Sequence, residues 1–198
     1  MGIQIVKYDS SVAAGSVILP ISVKNKEADA RALYYGSRLA DRVKRDLIIV
    51  HAVHEPAHMP GLYRRLDPQA VHVPLSDLAL NICRRRIESL QSNHPELKSL
   101  ENPALFVIPG LPATRISQIA KSTLACCIVM QKSERSTFGR LMHTPISDIV
   151  NKQANCPVVL IDSGNAEAVS DPQLLDISRF ASSQLSSGGG RVALHTPA

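Results

Sequence analysis

The segment from Cys126 to Ile161 constrains the fold of this chain more than any other. It joins an apolar run of strand length, residues 126–130, to a polar and basic loop, a helix and a second apolar run, residues 158–161. Two short apolar runs separated by enough residues for one helix favour a right-handed crossover between parallel strands. Ligands of such sheets bind beyond the carboxyl ends of the strands, so a functional site is predicted within residues 131–144.

Strand and helix alternate through the rest of the chain as well. Apolar runs predict three earlier strands, at residues 16–21, 47–53 and 105–108. Apolar residues at helical spacing predict helices over residues 27–44, 75–92 and 113–124. Ahead of the last helix, Thr144 is predicted to be the N-cap and Pro145 to occupy the first helical position. The alternation predicts an α/β fold in which helices cover both faces of a five-stranded parallel sheet.

Length and composition favour one domain with a tail. The chain has 198 residues, of which 44% are hydrophobic, and this suffices for one well-buried core but not for two full domains. Residues 1–15 are predicted to form a loose lead-in and residues 16–162 the domain. Residues 163–198 are predicted to be a tail, with at most one short docked helix before a flexible Ser/Gly-rich segment. Residues 54–74, rich in Pro and His, are predicted to be irregular.

The charge and hydropathy patterns limit the surroundings that we expect for the protein. The sequence has no run of about 18 apolar residues and no hydrophobic leader, so we expect a cytoplasmic protein that does not insert into a membrane. The net charge is +5, but the basic residues are scattered and aromatic residues make up only 4%, so we expect no nucleic-acid partner. The densest basic run, Arg84-Arg85-Arg86, would fan out around a helix and is predicted to be a solvated face.

The four cysteines are predicted to be reduced thiols in or beside the core, because their spacing matches no metal site. They are Cys83, Cys126, Cys127 and Cys156. A redox pair of Cys126 and Cys127 is the alternative. Adjacent residues of a strand point to opposite faces, however, and this disfavours the pair.

Three histidines lie in or shortly after the second predicted strand: His51, His54 and His58. They allow a metal site as one interpretation. One strand residue and two loop residues supply no fixed coordination geometry, so ordinary surface histidines are the preferred interpretation.

Three motifs, taken in order, resemble the universal stress protein family. They are Gly110-x-Pro112-Ala113-x-x-Ile116-x-x-x-Ala120, Ala125-Cys126-Cys127-Ile128-Val129-Met130 and Ala154-Asn155-Cys156-Pro157-Val158-Val159. The resemblance covers residues 16–162 in one register. It implies the adenine nucleotide alpha hydrolase-like fold, with a parallel sheet in the strand order 3-2-1-4-5.

The same resemblance bears on nucleotide binding. ATP-binding members of the family hold the phosphates with a glycine after strand four, a second glycine three positions on, and a Gly-Ser or Gly-Thr that opens the last helix. Counted from Met130, these positions are Gln131, Glu134, Thr144 and Pro145, and none is glycine. Glu134 would repel a polyphosphate and Pro145 lacks a donor. An aspartate that ends strand one in ATP-binding members is Ser22 here. The resemblance therefore implies a branch with a degenerate ATP-binding loop.

Three functions follow as hypotheses, none of them enzymatic, since no catalytic constellation is evident. The first is a regulatory or interaction protein of the stress response, without a cofactor. It would have a protein partner and form a homodimer through its last strand, Val158, Val159, Leu160 and Ile161. The second is a sensor of ATP, AMP or a cyclic nucleotide, in a pocket lined by Ile21, Ser22, Val53, Gln131, Lys132 and Thr144. The third is a domain of a larger membrane or signalling protein.

Overall fold

The computed structural model describes residues 4–6, 15–55, 61–70, 72–131 and 144–161. Its strands are β1 (Gln4–Val6), β2 (Val17–Pro20), β3 (Leu47–Val53), β4 (Ala104–Pro109), β5 (Cys127–Gln131) and β6 (Val158–Ile161). Its α-helices are α1 (Lys26–Val43), α2 (Leu62–Leu66), α3 (Leu75–Asn93), α4 (Pro112–Ser122) and α5 (Ile146–Gln153). A single turn of 3-10 helix, Lys98–Leu100, precedes β4.

All described strands form one sheet in the order β1-β4-β3-β2-β5-β6. The strands from β2 to β6 are mutually parallel. Counted from β2, they stand in the predicted order 3-2-1-4-5, so the predicted fold class is confirmed. In β2, Val17 lies beside Leu47 of β3 and Cys127 of β5.

One strand was not predicted. The backbone of Gln4–Val6 pairs antiparallel with β4, with Gln4 opposite Val107 and Val6 opposite Leu105. The prediction of a loose lead-in is therefore wrong for these residues. A strand of three residues is too short to leave a periodic pattern in the sequence, and its pairing depends on the open edge of β4.

Two apolar layers flank the sheet, because successive side chains of each strand point to opposite faces. In β2, Val17 and Leu19 pack in the layer that contains α1 and α3, whereas Ile18 packs in the layer that contains α4 and α5. All three are fully buried. Burial of an aliphatic side chain of this size contributes about 1.5–3 kcal/mol, so the two layers are the main source of stability.

Two local predictions are wrong. Residues 54–74 were expected to be irregular, yet they contain α2, which buries Leu62 and Tyr63. Thr144 was expected to cap α5. Pro145 takes the cap position instead, with φ −55° and ψ 143°, and its carbonyl accepts the first helical hydrogen bonds, from Asp148 and Ile149. No side chain of the described residues caps this helix.

Among the helices that the structure describes, none combines the length and the apolarity that crossing a bilayer requires. The predicted tail, residues 163–198, lies outside the described residues.

Candidate functional site

The carboxyl ends of β2 and β5 meet at the point where the strand order reverses. β2 pairs with β3 on one side and β5 on the other, so the connections that leave β2 and β5 run to opposite sides of the sheet. In a doubly wound sheet the ligand crevice lies at this reversal. Three predicted site residues stand here: Ile21 and Ser22 follow β2, and Gln131 ends β5.

The loop after β2 is organised around Asp29 in the first turn of α1. One carboxylate oxygen of Asp29 accepts the backbone N–H of Ser22 at 2.9 Å, and the other accepts the N–H of Val23 at 2.9 Å. Val23 is fully buried and has φ 58°, a left-handed conformation that β-branched residues rarely adopt. Two successive amides aimed at one point form an anion-binding site, and the anion held here is the protein's own carboxylate.

Arg86 of α3 completes this arrangement. Its guanidinium donates to Asp29 Oδ2 and, at 2.6 Å, to the carbonyl of Val23. The Arg86 side chain is 11% exposed and that of Asp29 is 5% exposed, so the ion pair is largely shielded from water. Burial lowers the pKa of Arg86 from its ordinary value.

The predicted solvated face of Arg84-Arg85-Arg86 is thus wrong for its last member. Arg84 and Arg85 are exposed, and Arg85 pairs with Asp67 at 2.6 Å on the surface. Successive helical residues are rotated by about 100°, so three neighbouring arginines cannot share one environment. No sequence signal identified the buried one, because its partner Asp29 lies 57 positions away.

Gln131 closes the crevice from the side of β5. Its side-chain amide donates to the carbonyl of Ala28, in the first turn of α1, at 2.6 Å. The contact joins the end of β5 to the start of α1. Gln131 is half-buried, whereas Ser22 and Thr144 are exposed.

A second buried network lies at the ends of β2 and β3. His51 Nδ1 is 2.9 Å from the carbonyl oxygen of Ile21, and His51 Nε2 is 3.0 Å from Tyr63 Oη. The backbone N–H of His54 donates to Tyr63 Oη at 3.1 Å. These partners assign the proton of His51 to Nδ1, which donates to Ile21, while Nε2 accepts from Tyr63.

Burial controls the chemistry of this network. His51 is 2% exposed, and burial lowers its pKa to about 4, so it is neutral at physiological pH. Burial likewise raises the pKa of Tyr63 to about 12. His51 is therefore neither a surface residue nor a metal ligand, and both interpretations fail for it. His58 lies outside the described residues, and within the described ranges no three His, Cys, Asp or Glu side chains could hold a metal together.

Val53, the remaining site residue on the sheet, lies at the end of β3 and is buried. Its carbonyl accepts the N–H of Gly110 at 3.2 Å. The Val53 carbonyl and the His54 N–H, which binds Tyr63, therefore already have hydrogen-bond partners within the fold. Lys132, predicted to line the same pocket, is outside the described residues.

Comparison with known proteins gives a consistent result. The sequence model described as the Universal stress protein family matches residues 16–162. No curated protein is significantly similar in sequence.

Solved structures of similar fold include three universal stress proteins. One, in complex with cAMP, is 14% identical with a TM-score of 0.53, over 76% of this chain and 98% of that chain. One from Archaeoglobus fulgidus is 16% identical with a TM-score of 0.51, over 74% and 98%. One from Arabidopsis thaliana with AMP bound is 18% identical with a TM-score of 0.50, over 80% and 98%. At such low identities the likeness shows the fold alone.

Proposed function

Because the chain belongs to the universal stress protein family, we propose that it is a non-catalytic regulatory or interaction protein that does not bind ATP in the usual pose of that family. The observation that carries the proposal is the internal anion site after β2. There the carboxylate of Asp29, paired with Arg86, accepts hydrogen bonds from the N–H groups of Ser22 and Val23.

A nucleotide group that used these amides would have to displace Asp29. Removing one partner of a buried ion pair costs about 3–5 kcal/mol, since the other charge is left without compensation. Such a cost corresponds to a loss of more than about a hundredfold in affinity. We therefore infer that the Asp29 carboxylate occupies the anion site that a phosphate would otherwise use.

The end of β5 supports the same proposal. Gln131 stands where ATP-binding relatives are expected to have glycine, and its side chain is bound to the Ala28 carbonyl. A nucleotide that approached this strand end would have to break that hydrogen bond, which contributes about 1 kcal/mol. Pro145, at the start of α5, has no N–H to offer a phosphate.

A nucleotide sensor is the second candidate function. It is favoured by the solved structures of similar fold that hold cAMP and AMP. The pocket would be lined by Ile21, Ser22, Val53, Gln131, Lys132 and Thr144. In this alternative the ligand makes its contacts with side chains and with backbone groups other than the amides that Asp29 occupies.

Isothermal titration calorimetry with ATP, AMP and cAMP separates the two functions. We expect no binding at ligand concentrations up to about 1 mM, where a binding free energy weaker than about 4 kcal/mol escapes detection. Micromolar binding of AMP or cAMP would support the sensor instead. Recovery of stoichiometric ATP from the purified protein, by mass spectrometry of released small molecules, would contradict the first proposal.

The proposal includes a homodimer formed through β6. Among the described strands it ends the sheet, and its Val159 and Leu160 are only half-buried. Pairing of Val158–Ile161 with the same strand of a second copy would satisfy the open backbone groups and cover both side chains. We further propose a cytoplasmic location and a protein partner, with no contact to nucleic acid or membrane.

Light scattering after size-exclusion chromatography tests the dimer. We expect the Leu160→Glu variant to be monomeric, because it would place two like charges across the twofold interface. The matched control is Leu124→Glu, since Leu124 is 70% exposed and lies outside β6, in the turn between α4 and β5. A monomeric wild-type protein, or a dimer that persists in Leu160→Glu, would contradict this part of the proposal.

A further inference from the structure

Two cysteine sulfurs lie side by side at the amino edge of the sheet, away from the crevice. Cys126 and Cys127 were expected to point to opposite faces, as alternating strand residues do. β5, however, begins at Cys127, and Cys126 is the last residue before the strand. Both side chains pack against the same apolar layer, and their Sγ atoms are 3.9 Å apart. The prediction of opposite faces is therefore wrong.

The backbone holds Cys126 at the start of β2. The Cys126 N–H donates to the carbonyl of Ser16 at 3.0 Å, and the neighbouring Gly15 N–H donates to the carbonyl of Thr123 at 3.4 Å. Arg45 packs over Gly15, since a Cβ placed on that glycine would lie 3.4 Å from Arg45 Nη1. The Arg45 guanidinium thus lies next to Gly15, the chain neighbour of the Ser16 that binds Cys126.

The two thiols have different acidities. The hydrogen bond with the Cys127 thiol, helped by the charge of Arg45, lowers the pKa of Cys126 although the residue is partly buried. The same hydrogen bond, together with burial, raises the pKa of Cys127. Nucleophilic attack requires a thiolate, and this character belongs to Cys126.

The other two cysteines differ from Cys126 because their pKa values are raised. Cys83 is fully buried, and burial raises its pKa to about 12. Cys156 is half-buried, and its pKa is also raised to about 12, chiefly by burial. Of the described cysteines, only Cys126 combines partial exposure with a lowered pKa and a neighbouring thiol.

We propose that Cys126 and Cys127 are a peroxide-sensitive dithiol, in which Cys126 is the reacting sulfur and Cys127 the resolving one. In the first step the Cys126 thiolate attacks one oxygen of hydrogen peroxide. An S–O bond forms, the O–O bond breaks, and hydroxide leaves and takes up a proton as water. Cys126 is then a sulfenic acid, oxidised by two electrons.

In the second step the Cys127 sulfur attacks the Cys126 sulfur. The S–S bond forms, the S–O bond breaks, and the oxygen leaves as water with the proton that Cys127 loses. Adjacent Cα atoms are about 3.8 Å apart across a trans peptide, which is shorter than the roughly 4.4–6.8 Å usual for disulfides. The product is therefore strained and easily reduced by a thiol, as a reversible signal requires.

The test treats the 198-residue chain with hydrogen peroxide, blocks the remaining thiols with iodoacetamide and digests it with trypsin. Residues 122–132 form one tryptic peptide that contains both Cys126 and Cys127, whereas Cys156 falls in residues 153–179. We expect the 122–132 peptide to lose the mass of two hydrogen atoms, to carry no alkyl group, and to recover both thiols after dithiothreitol. A cross-link between the two peptides, or two alkylated cysteines within residues 122–132, would overturn the proposal.

Four variants sharpen the test. In Cys126→Ser we expect peroxide to consume the Cys127 thiol at least about tenfold more slowly, because the reactive thiolate is gone. In Cys127→Ala the sulfenic acid has no resolving partner and should be trapped by dimedone. Cys156→Ser and Cys83→Ser should form the disulfide as the wild type does. Oxidation of folded Cys126→Ser at the wild-type rate would overturn the assignment.

Discussion

The carboxylate of Asp29 and the guanidinium of Arg86 form an ion pair across the loop that follows β2, with only 5% and 11% of their side chains exposed. Asp29 holds the N–H of Val23 and Arg86 holds its carbonyl, so the two charges fix a residue whose φ is 58°. Left-handed backbone costs an L-residue about 1–2 kcal/mol, and the surrounding contacts must supply at least that much. The conformation of the crevice therefore depends on this pair.

Arg86→Met should lower the free energy of unfolding by about 3 kcal/mol. The substitution keeps much of the side-chain volume but leaves the buried Asp29 carboxylate without its counter-charge. Urea unfolding followed by circular dichroism measures the loss.

The control for this change is Arg84→Met. Arg84 lies on the same helix but is exposed, so its replacement should alter the free energy of unfolding by less than about 0.5 kcal/mol. Equal losses in the two variants would show that the Asp29–Arg86 pair has no special role.

His51 should make the protein less stable in mild acid. Its pKa is about 4 in the folded state, against 6.5 when unfolded, because burial disfavours the charged imidazolium. Between these values the unfolded chain binds more protons than the folded one. The stabilisation is complete above pH 6.5 and is lost as the pH falls towards 4, by about 3 kcal/mol in total.

Urea titrations of the wild type and of His51→Phe, at pH 7 and at pH 5, measure this effect. The variant should be less stable at pH 7, because the Ile21 carbonyl and the Tyr63 hydroxyl each lose the hydrogen bond that they make with His51. Its stability should also change less between the two pH values. If the variant kept the pH dependence of the wild type, a group other than His51 would be responsible for the loss of stability in acid.

Gly110→Ala should destabilise the protein by about 2 kcal/mol. Gly110 has φ 132°, and a Cβ there would lie 2.7 Å from Arg115 Nε. The residue also donates its N–H to Val53, so a shift of the backbone would disturb the end of β3.

Gly61→Ala is the matched control for this change, because Gly61 has φ 68° with nothing within 4 Å of an added Cβ. Backbone strain alone predicts a smaller loss of about 1 kcal/mol. Thermal unfolding of both variants distinguishes them. A loss at Gly61 as large as that at Gly110 would mean that contact with Arg115 contributes nothing.

Introducing glycines at and after the end of β5 should increase the affinity of the protein for ATP. The double variant Gln131→Gly, Glu134→Gly removes the hydrogen bond to Ala28 and one negative charge, and it frees the backbone to approach phosphate. Calorimetry should detect ATP binding by the double variant at least about tenfold tighter than the roughly 1 mM limit at which the wild type is expected to show none, a gain of about 1.4 kcal/mol or more.

The comparison for this gain is Gln131→Asn, which keeps an amide side chain and should leave ATP affinity unchanged. If the folded double variant bound ATP no better than Gln131→Asn, the substitutions in this loop would not explain weak binding.

The apolar runs were sufficient to predict the sheet. A strand such as Leu47–Val53, which is buried at every position, is typical of the centre of a parallel sheet covered by helices on both faces. Recognition of the three motifs added the strand order. The short strand Gln4–Val6 was missed, because three residues carry no detectable period.

The site was harder to predict because its contacts join distant positions. Nothing in the sequence pairs Asp29 with Arg86, or His51 with Tyr63, since each pairing is decided by the packing of separate elements. Cys126 shows how sensitive such predictions are to a boundary. A strand that begins one residue later than expected brings together two sulfurs that were assigned to opposite faces.

The antiparallel strand β1 restricts how copies of this protein can aggregate. A head-to-tail fibre would need β6 of one copy to add to β4 of the next, but β1 already occupies that edge. As the edge strand there, β1 offers a strand of only three residues for further pairing. Among the described strands, β1 therefore covers the edge of β4, and β6 is the edge at which the proposed dimer would form.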